Sequence, residues 1–251
     1  MVRSTIFTSA LGLFSVAAAA PVAAPATQAS PVVNLMPFGA SIVEITCWRA
    51  YLYTKLQNAR VSYVDFVGSH KTPTGSCTLN GNTVPFDKDN EGHSGARVTD
   101  YAAQGSLKPW LASAKPDVIV MHVGTNDAVA NISTSKLIAA YDTLLGQMRA
   151  SNSKTTLIVS KLIPIDPTLF GQEVADRIKD YNNAMEGWSQ RSNTADSAVI
   201  LVDMYTGFDY KTMTREGEHP NEKGDVFMAD KFFPVVRDQL VKKSAAKSKG
   251  Q

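Results

Sequence analysis

The sequence predicts an α/β fold built on a parallel sheet. Two observations carry that prediction: five short apolar runs, and helical patterns that alternate with them along a chain of 251 residues that is 44% hydrophobic. The runs cover residues 32–38, 61–67, 118–123, 155–162 and 198–204. Several are nearly continuous in apolar side chains, as expected of strands buried on both faces. Apolar residues at three- and four-residue steps predict helices over 48–58, 136–150, 174–188 and 226–241. Strand alternating with helix defines an α/β fold with a parallel, here five-stranded, sheet. Residues 68–95, rich in Gly, Ser, Asn and Thr, form the longest irregular stretch, and long loops in compact domains are often functional.

The length suits one globular domain, placed at 31–241. Arg3 and the apolar stretch of residues 6–20, ending in four alanines, predict a secretory signal peptide over 1–20. That stretch is shorter than the roughly 20 residues that span a bilayer. Residues 21–30 (PVAAPATQAS) read as a linker or pro-segment, and 242–251 as a solvated basic tail. No other segment has the length and apolarity of a membrane span, so the expected location is extracellular and no membrane partner is expected. Arg3 and the four tail lysines account for five of 25 basic residues against 23 acidic ones, leaving the body slightly acidic. A nucleic-acid binder carries a basic face instead. An oxidising compartment favours a bridge between Cys47 and Cys77, worth about 3 kcal/mol, over two buried thiols, an alternative that spacing alone leaves open. Asn131-Ile132-Ser133 is a glycosylation sequon, and a monomer is expected.

In a parallel sheet, ligands bind where strands end and loops or helices begin. The first exit reads Phe38-Gly39-Ala40-Ser41, placing Ser41 where a strand turns into a helix with its N–H free to meet an oxyanion. An ordinary helix-capping serine would look the same. The second exit, Val67-Gly68-Ser69, offers a close backbone N–H at Gly68, and the third, Gly124-Thr125-Asn126-Asp127, offers the Asn126 amide. Near the C-terminus, Glu216-Gly217-Glu218-His219 puts a carboxylate one turn before a histidine, where it can accept the imidazole N–H and fix the tautomer. None of these is specific alone. Together they supply a nucleophile, a base, an orienting acid and preorganised donors, the parts acyl transfer needs.

These blocks resemble the SGNH (GDSL-like) hydrolase superfamily, whose motifs centre on Ser, Gly, Asn and His. The resemblance runs from about Val33 to Val236, with Gly39-Ala40-Ser41 similar to the GDS block and Glu216 to His219 similar to the DxxH block. Glu91-Gly92-His93-Ser94-Gly95 resembles a segment of carbohydrate esterase family 3, which contains acetylxylan esterases, and Thr46-Cys47-Trp48-Arg49 is similar to fungal members. The resemblance implies a flavodoxin-like three-layer α/β/α sandwich, no metal and no organic cofactor. It also implies a catalytic Ser41, His219 and Glu216, with Ser41, Gly68 and Asn126 forming the oxyanion hole. His93 and Trp48 are expected to line the substrate cleft, with a Trp48 packed on a helix face and a His93 on a loop surface as the open alternative. Two positions depart from the pattern: Ala40 stands where the family has Asp, and Glu216 where it has Asp, with Asp203 as a reserve carboxylate. The expected function is a secreted serine esterase that removes acetyl groups from carbohydrate esters such as acetylated xylan. The alternative is a catalytically silent carbohydrate-binding protein on the same fold. The α/β-hydrolase G-x-S-x-G elbow does not occur, and His70, His93, His122 and His219 lack metal-ligand spacing.

Overall fold

The computed structural model describes residues 1–2 and 30–250. Apart from Met1 and Val2, the expected signal peptide lies outside the described residues, as does the expected linker up to residue 29. The strand β1 (Val33–Gly39) leads through a short helix α1 (Ser41–Glu44) into α2 (Trp48–Asn58) and β2 (Val64–Phe66). Residues 68–95, expected to be irregular, hold four short strands: β3 (His70–Lys71), β4 (Cys77–Leu79), β5 (Asn82–Val84) and β6 (Asp89–Gly92). Next come α3 (Val98–Gln104), α4 (Leu107–Ala114), β7 (Val118–His122), α5 (Thr125–Val129) and α6 (Thr134–Ser151). The chain continues through β8 (Thr156–Ser160), α7 (Pro167–Phe170), α8 (Gln172–Ser192), β9 (Val199–Val202), α9 (Tyr210–Met213) and α10 (Glu222–Lys249).

The five predicted runs become β2, β1, β7, β8 and β9, which lie parallel in that order. The sheet is larger than expected. Strand β6 adds to the edge of β1 beyond β2, pairing Phe38 with Glu91 and Gly39 with Gly92, and β3 joins β6 antiparallel, giving seven strands. Alternate residues of each central strand face opposite layers, which is why the runs read as continuously apolar. On β7, Ile119 and Met121 meet Tyr141, Leu144 and Trp188 from α6 and α8, while Val118 and Val120 share a cluster with Leu52, Leu56, Phe232 and Val236 from α2 and α10. The result is a mainly parallel sheet between two helical layers, as the resemblance implied.

The expected basic tail is corrected. Helix α10 does not stop at residue 241 but runs to Lys249. Ser244 is buried and donates to the Pro31 carbonyl at 3.1 Å, while Lys247 Nζ bonds Val32 O at 2.9 Å and Asp117 Oδ2 at 2.6 Å. One face of this last stretch docks beneath the start of β1, and only the other faces solvent. The disulfide is present: Cys47 and Cys77 are bridged with Cα atoms 5.6 Å apart, tying the start of α2 to β4. The loop it closes contains β2 and the Gly68-Ser69 exit. Among the described residues, no helix is long and apolar enough to cross a membrane.

Candidate active site

Ser41 opens α1 directly after β1, and that turn is held from both ends. A side chain at Gly39 would strike the His122 carbonyl and Val43, so glycine is what lets the turn lie against β7. The Gly39 carbonyl accepts from Tyr101 Oη at 2.9 Å and from the His93 N–H at 3.1 Å. The Val43 and Glu44 N–H groups both go to Ala40 O, at 3.0 and 2.9 Å, and among the described residues none accepts the Ser41 N–H. Ala40, where the family pattern has Asp, is buried in the apolar cluster with Phe38 and Tyr101. At the far end of α1 the buried Arg49 guanidinium donates to Val43 O at 2.7 Å and Glu44 O at 3.2 Å, and reaches Lys88 O and Thr72 O across the neighbouring segments. Burial pulls its pKa down to about 10, against the opposing pull of Asp225, Asp87, Glu44 and Asp89.

His219 reaches Ser41 from the other end of the sequence. Its Nε2 lies 2.8 Å from Ser41 Oγ, and its Nδ1 faces Glu216 Oε1, which also accepts the His219 backbone N–H at 3.1 Å. The loop that presents both residues is closed on itself. Arg215 N–H bonds the His219 carbonyl at 2.8 Å, Gly217 N–H bonds Thr214 Oγ1 at 2.8 Å, and Gly217 turns with φ 89°. Asn221 then caps α10 through Lys223 and Gly224 while its amide holds the Thr212 and Thr214 carbonyls. Burial acts to raise the Glu216 pKa, but the bonds from the His219 side chain and backbone outweigh it and leave the carboxyl below its ordinary value. Glu218 is half-buried and moves the other way, raised chiefly by burial. Glu216, Glu218 and His219 place ligand atoms within 4.8 Å of one another, yet both ring nitrogens of His219 are already engaged, so the trio offers a cation carboxylates only. Asp203 is not the partner of His219: it accepts from Tyr205 N, Thr206 N and Thr206 Oγ1, at 2.9, 2.9 and 2.8 Å, within its own turn.

Asn126 lies at the start of α5 with one amide N–H on Ala96 O at 2.9 Å, which fixes the side-chain plane and leaves its second amide hydrogen uncommitted. Its neighbour Asp127 caps a different helix, taking the Val98 and Thr99 N–H groups and the Thr99 hydroxyl at 2.9, 3.2 and 2.8 Å. The block Gly124-Thr125-Asn126-Asp127 therefore joins α5 to α3 as well as presenting an amide, a structural duty the sequence alone did not disclose. Gly68 lies so close to Asn90 that any side chain would collide with that residue's backbone. The placement of Trp48 in the substrate cleft is corrected. Its side chain is fully buried, its indole N–H donates to Ile42 O at 3.0 Å, and its ring meets Phe232 with centroids 5.0 Å apart. His93 keeps partial exposure, but Nε2 is 2.6 Å from Glu91 Oε1 and the ring stacks on Trp110 at 4.4 Å. His122 is no rival base: burial pulls it down to about 4 and Nδ1 is 2.7 Å from Ser160 Oγ.

A hydroxyl, an imidazole and a carboxylate bonded in series above the strand ends of a parallel sheet define the serine-hydrolase class. Within it, the chain belongs to the GDSL-like Lipase/Acylhydrolase family, whose model matches residues 47–225, and it is an esterase of that family. A crystal structure of an acetyl esterase mutant with an acetate ion is 35% identical, with a TM-score of 0.74 over 84% of this chain and 99% of that one. A carbohydrate esterase family 3 protein from Talaromyces cellulolyticus is 34% identical, with a TM-score of 0.73 over 84% of this chain and 99% of that one. A multidomain esterase of Ruminococcus flavefaciens is 25% identical over 230 residues, covering 85% of this chain, which itself spans only 30% of that protein's length.

Proposed function

We propose that the chain is a secreted acetylesterase acting on carbohydrate esters, acetylated xylan among them, through an acyl-enzyme on Ser41. The observation that carries this reading is the bonded series Ser41–His219–Glu216. His219 Nε2 takes the hydroxyl proton as Ser41 Oγ attacks the ester carbonyl, and Glu216 holds the ring in the tautomer that makes this possible. The oxyanion is received by the Ser41 N–H and the Asn126 amide; Gly68, expected as a third donor, lies behind β6 against the Asn90 backbone, because β6 and not the β2 exit flanks the Ser41 end of β1. His219 gives that proton to the departing sugar oxygen, which leaves as the alcohol; it then takes a proton from the water that attacks the acyl carbonyl and returns it to Ser41 Oγ as the acyl–oxygen bond breaks and acetate leaves. His93, on the rim beside β1, is the remaining candidate for contact with the sugar. The acetyl esterase and family 3 likenesses support the acetyl and carbohydrate assignments. The disulfide and the leader-like composition of residues 1–20 support secretion.

The test is a panel of p-nitrophenyl esters of increasing acyl length, with acetate release from acetylated xylan measured beside it. The expected result is highest kcat/KM on the acetyl ester and measurable release from xylan. Activity confined to long acyl chains sinks the acetyl reading, and no hydrolysis of any ester sinks the acyl-enzyme itself. Asn126→Ala is expected to lower kcat by about 100- to 1000-fold, the loss typical of one removed oxyanion donor. Unchanged turnover removes Asn126 from the oxyanion hole.

A further inference from the structure

The loop that carries His219 and Glu216 holds a second acid with no part in the reaction above. Glu218 is half-buried, and its carboxylate, the Glu216 carboxylate and a ring nitrogen of His219 place one atom each within 4.8 Å of the other two. Glu216 is already bonded to the ring and to the His219 backbone N–H. Among the described residues nothing donates a hydrogen bond to Glu218. Burial raises its pKa, the charge of His219 draws it down, and the charge of Glu216 pushes it further up.

The other acids around the loop are committed elsewhere. Asp166, which heads α7 and packs on Gly217, keeps Oδ1 on the Thr168 N–H and hydroxyl at 2.8 and 2.7 Å. Glu44, at the end of α1, takes the Ser94 N–H and hydroxyl at 2.7 and 2.5 Å and has His70 Nδ1 3.5 Å from its other oxygen. On α10, Asp225 holds the Cys47 and Trp48 N–H groups and Glu222 accepts from the Asn80 N–H. Of the cations, Lys211 acts on Asp166, while Arg215 acts on Glu216 and turns its guanidinium to Pro220 O at 3.0 Å and Ile45 O at 3.4 Å. The cation that faces Glu218 is therefore His219 itself, in its protonated form.

That form exists from the moment the ring takes the Ser41 proton until it passes the proton on. We propose that Glu218 is a second acid of His219, supporting the imidazolium through its charge while Glu216 fixes the ring through its hydrogen bond. The proposal rests on the acyl-enzyme reading above. Glu218 is a positioning residue: it touches neither substrate nor the reacting atoms and acts through His219 alone. The division of labour follows from exposure. The Glu216 side chain is 49% exposed and its charge is screened, whereas Glu218 is the better buried of the two. Its pKa lies above the ordinary value and that of Glu216 below, so mild acidification discharges Glu218 first and removes its support from the ring.

The test is kcat and KM on p-nitrophenyl acetate against pH for wild type, Glu218→Gln and Glu218→Asp, with proton uptake by the His219 ring followed by NMR. Glu218→Gln keeps the shape of the side chain and removes its charge. It is expected to lower the plateau kcat by about 3- to 10-fold at nearly unchanged KM, as fits one partly screened charge beside a developing cation. At about pH 5 the same variant is expected to keep a larger share of its plateau rate than wild type does, because the ring takes up its proton at lower pH once the neighbouring charge is gone. Glu218→Asp, which keeps the charge, is expected to recover most of the plateau. A merely structural role lowers the rate by one factor at every pH and leaves proton uptake by the ring where it was, which overturns the proposal. A loss carried by KM, or an equal loss in Glu218→Gln and Glu218→Asp, overturns it as well. If Glu218→Gln does not fold, Glu218→Ser removes the charge, admits water and carries the same comparison. An inactive wild type overturns the acyl-enzyme reading, whereas an active wild type whose pH profile and ring titration are indifferent to Glu218→Gln overturns this proposal alone.

Discussion

His219→Ala is expected to lower kcat on p-nitrophenyl acetate by about 10⁵- to 10⁶-fold, Ser41→Ala by the same factor, and the double variant by no more than either. The two residues act on one proton. With the 2.8 Å bond between Ser41 Oγ and His219 Nε2 broken from either side, the hydroxyl attacks without a base or there is no hydroxyl to attack. Glu216→Ala is expected to be milder, at or below the roughly 3 × 10⁴-fold loss that the acid alone carries in the same comparison of triad members. The Glu216 side chain is 49% exposed, so water can enter and accept the Nδ1 proton in its place, and its charge is screened. Glu216→Asp is expected to fall between Glu216→Ala and wild type, since a shorter arm must leave its bond to the His219 backbone to reach the ring. The measurement is kcat and KM for the set, with circular dichroism confirming the fold of each. An equal loss for Glu216→Ala and His219→Ala contradicts the idea that exposure softens the role of the acid.

Much of this site is legible in the sequence because its residues occupy strand exits, and the strands that carry them are apolar on both faces. Ser41 and Asn126 fall at the ends of β1 and β7, as expected, whereas Gly68 follows β2 but is separated from the Ser41 turn by β6. The strand β6 could not be placed from the sequence. Its sequence, Asp-Asn-Glu-Gly, has no apolar residue, and its burial rests on hydrogen bonds: Asn90 Nδ2 to Thr72 Oγ1 at 2.9 Å, Asn90 Oδ1 from the Gly92 N–H at 2.9 Å, and the Glu91 bonds to Ser69 and His93. Hydrophobic periodicity is blind to a strand satisfied in that way. Helices α3 and α4 are short and separated by Gly105 at φ 67°, too brief for a helical period to stand out.

Trp48 shows a different limit. It begins a helix with buried residues at Trp48, Arg49, Ala50, Tyr51 and Leu52, so spacing does not say which side faces the cleft. The family-like segment Thr46-Cys47-Trp48-Arg49 earns its place by structure. Asp225, on α10, accepts the Cys47 and Trp48 N–H groups at 3.0 and 3.1 Å and so caps α2, while Cys47 is bridged to Cys77. The tail misleads in the opposite direction, since a run of lysines looks uniformly solvated until Ser244 and Lys247 are seen against the start of β1. Charge composition reports the outer face of a helix and says nothing of the inner one.

Arg49→Ala is expected to lower stability by about 3–5 kcal/mol, the order set by leaving buried carbonyls without their donor and by the cavity left behind. For a domain of this size that is roughly a 6–20 °C fall in Tm. The guanidinium is fully buried and its donors are divided among the carbonyls of Val43, Glu44, Thr72 and Lys88, with Phe86 beneath it, Cζ 5.7 Å from the ring centroid. Removing it strands carbonyls in the interior, together with the volume the side chain fills, and each orphaned polar group adds its own desolvation penalty. Arg49→Lys is expected to recover only a minor part, because one ammonium cannot span the positions that the planar fork reaches. Two of those carbonyls end the helix that Ser41 begins, so the variants are also expected to lose activity below their melting range, with kcat falling more than KM rises. Thermal melts paired with kinetics at 25 °C check both parts. A Tm within 2 °C of wild type for Arg49→Ala would mean that water replaces the guanidinium at no cost, and that the interior between α1 and the Thr72 segment is wetter than its packing indicates.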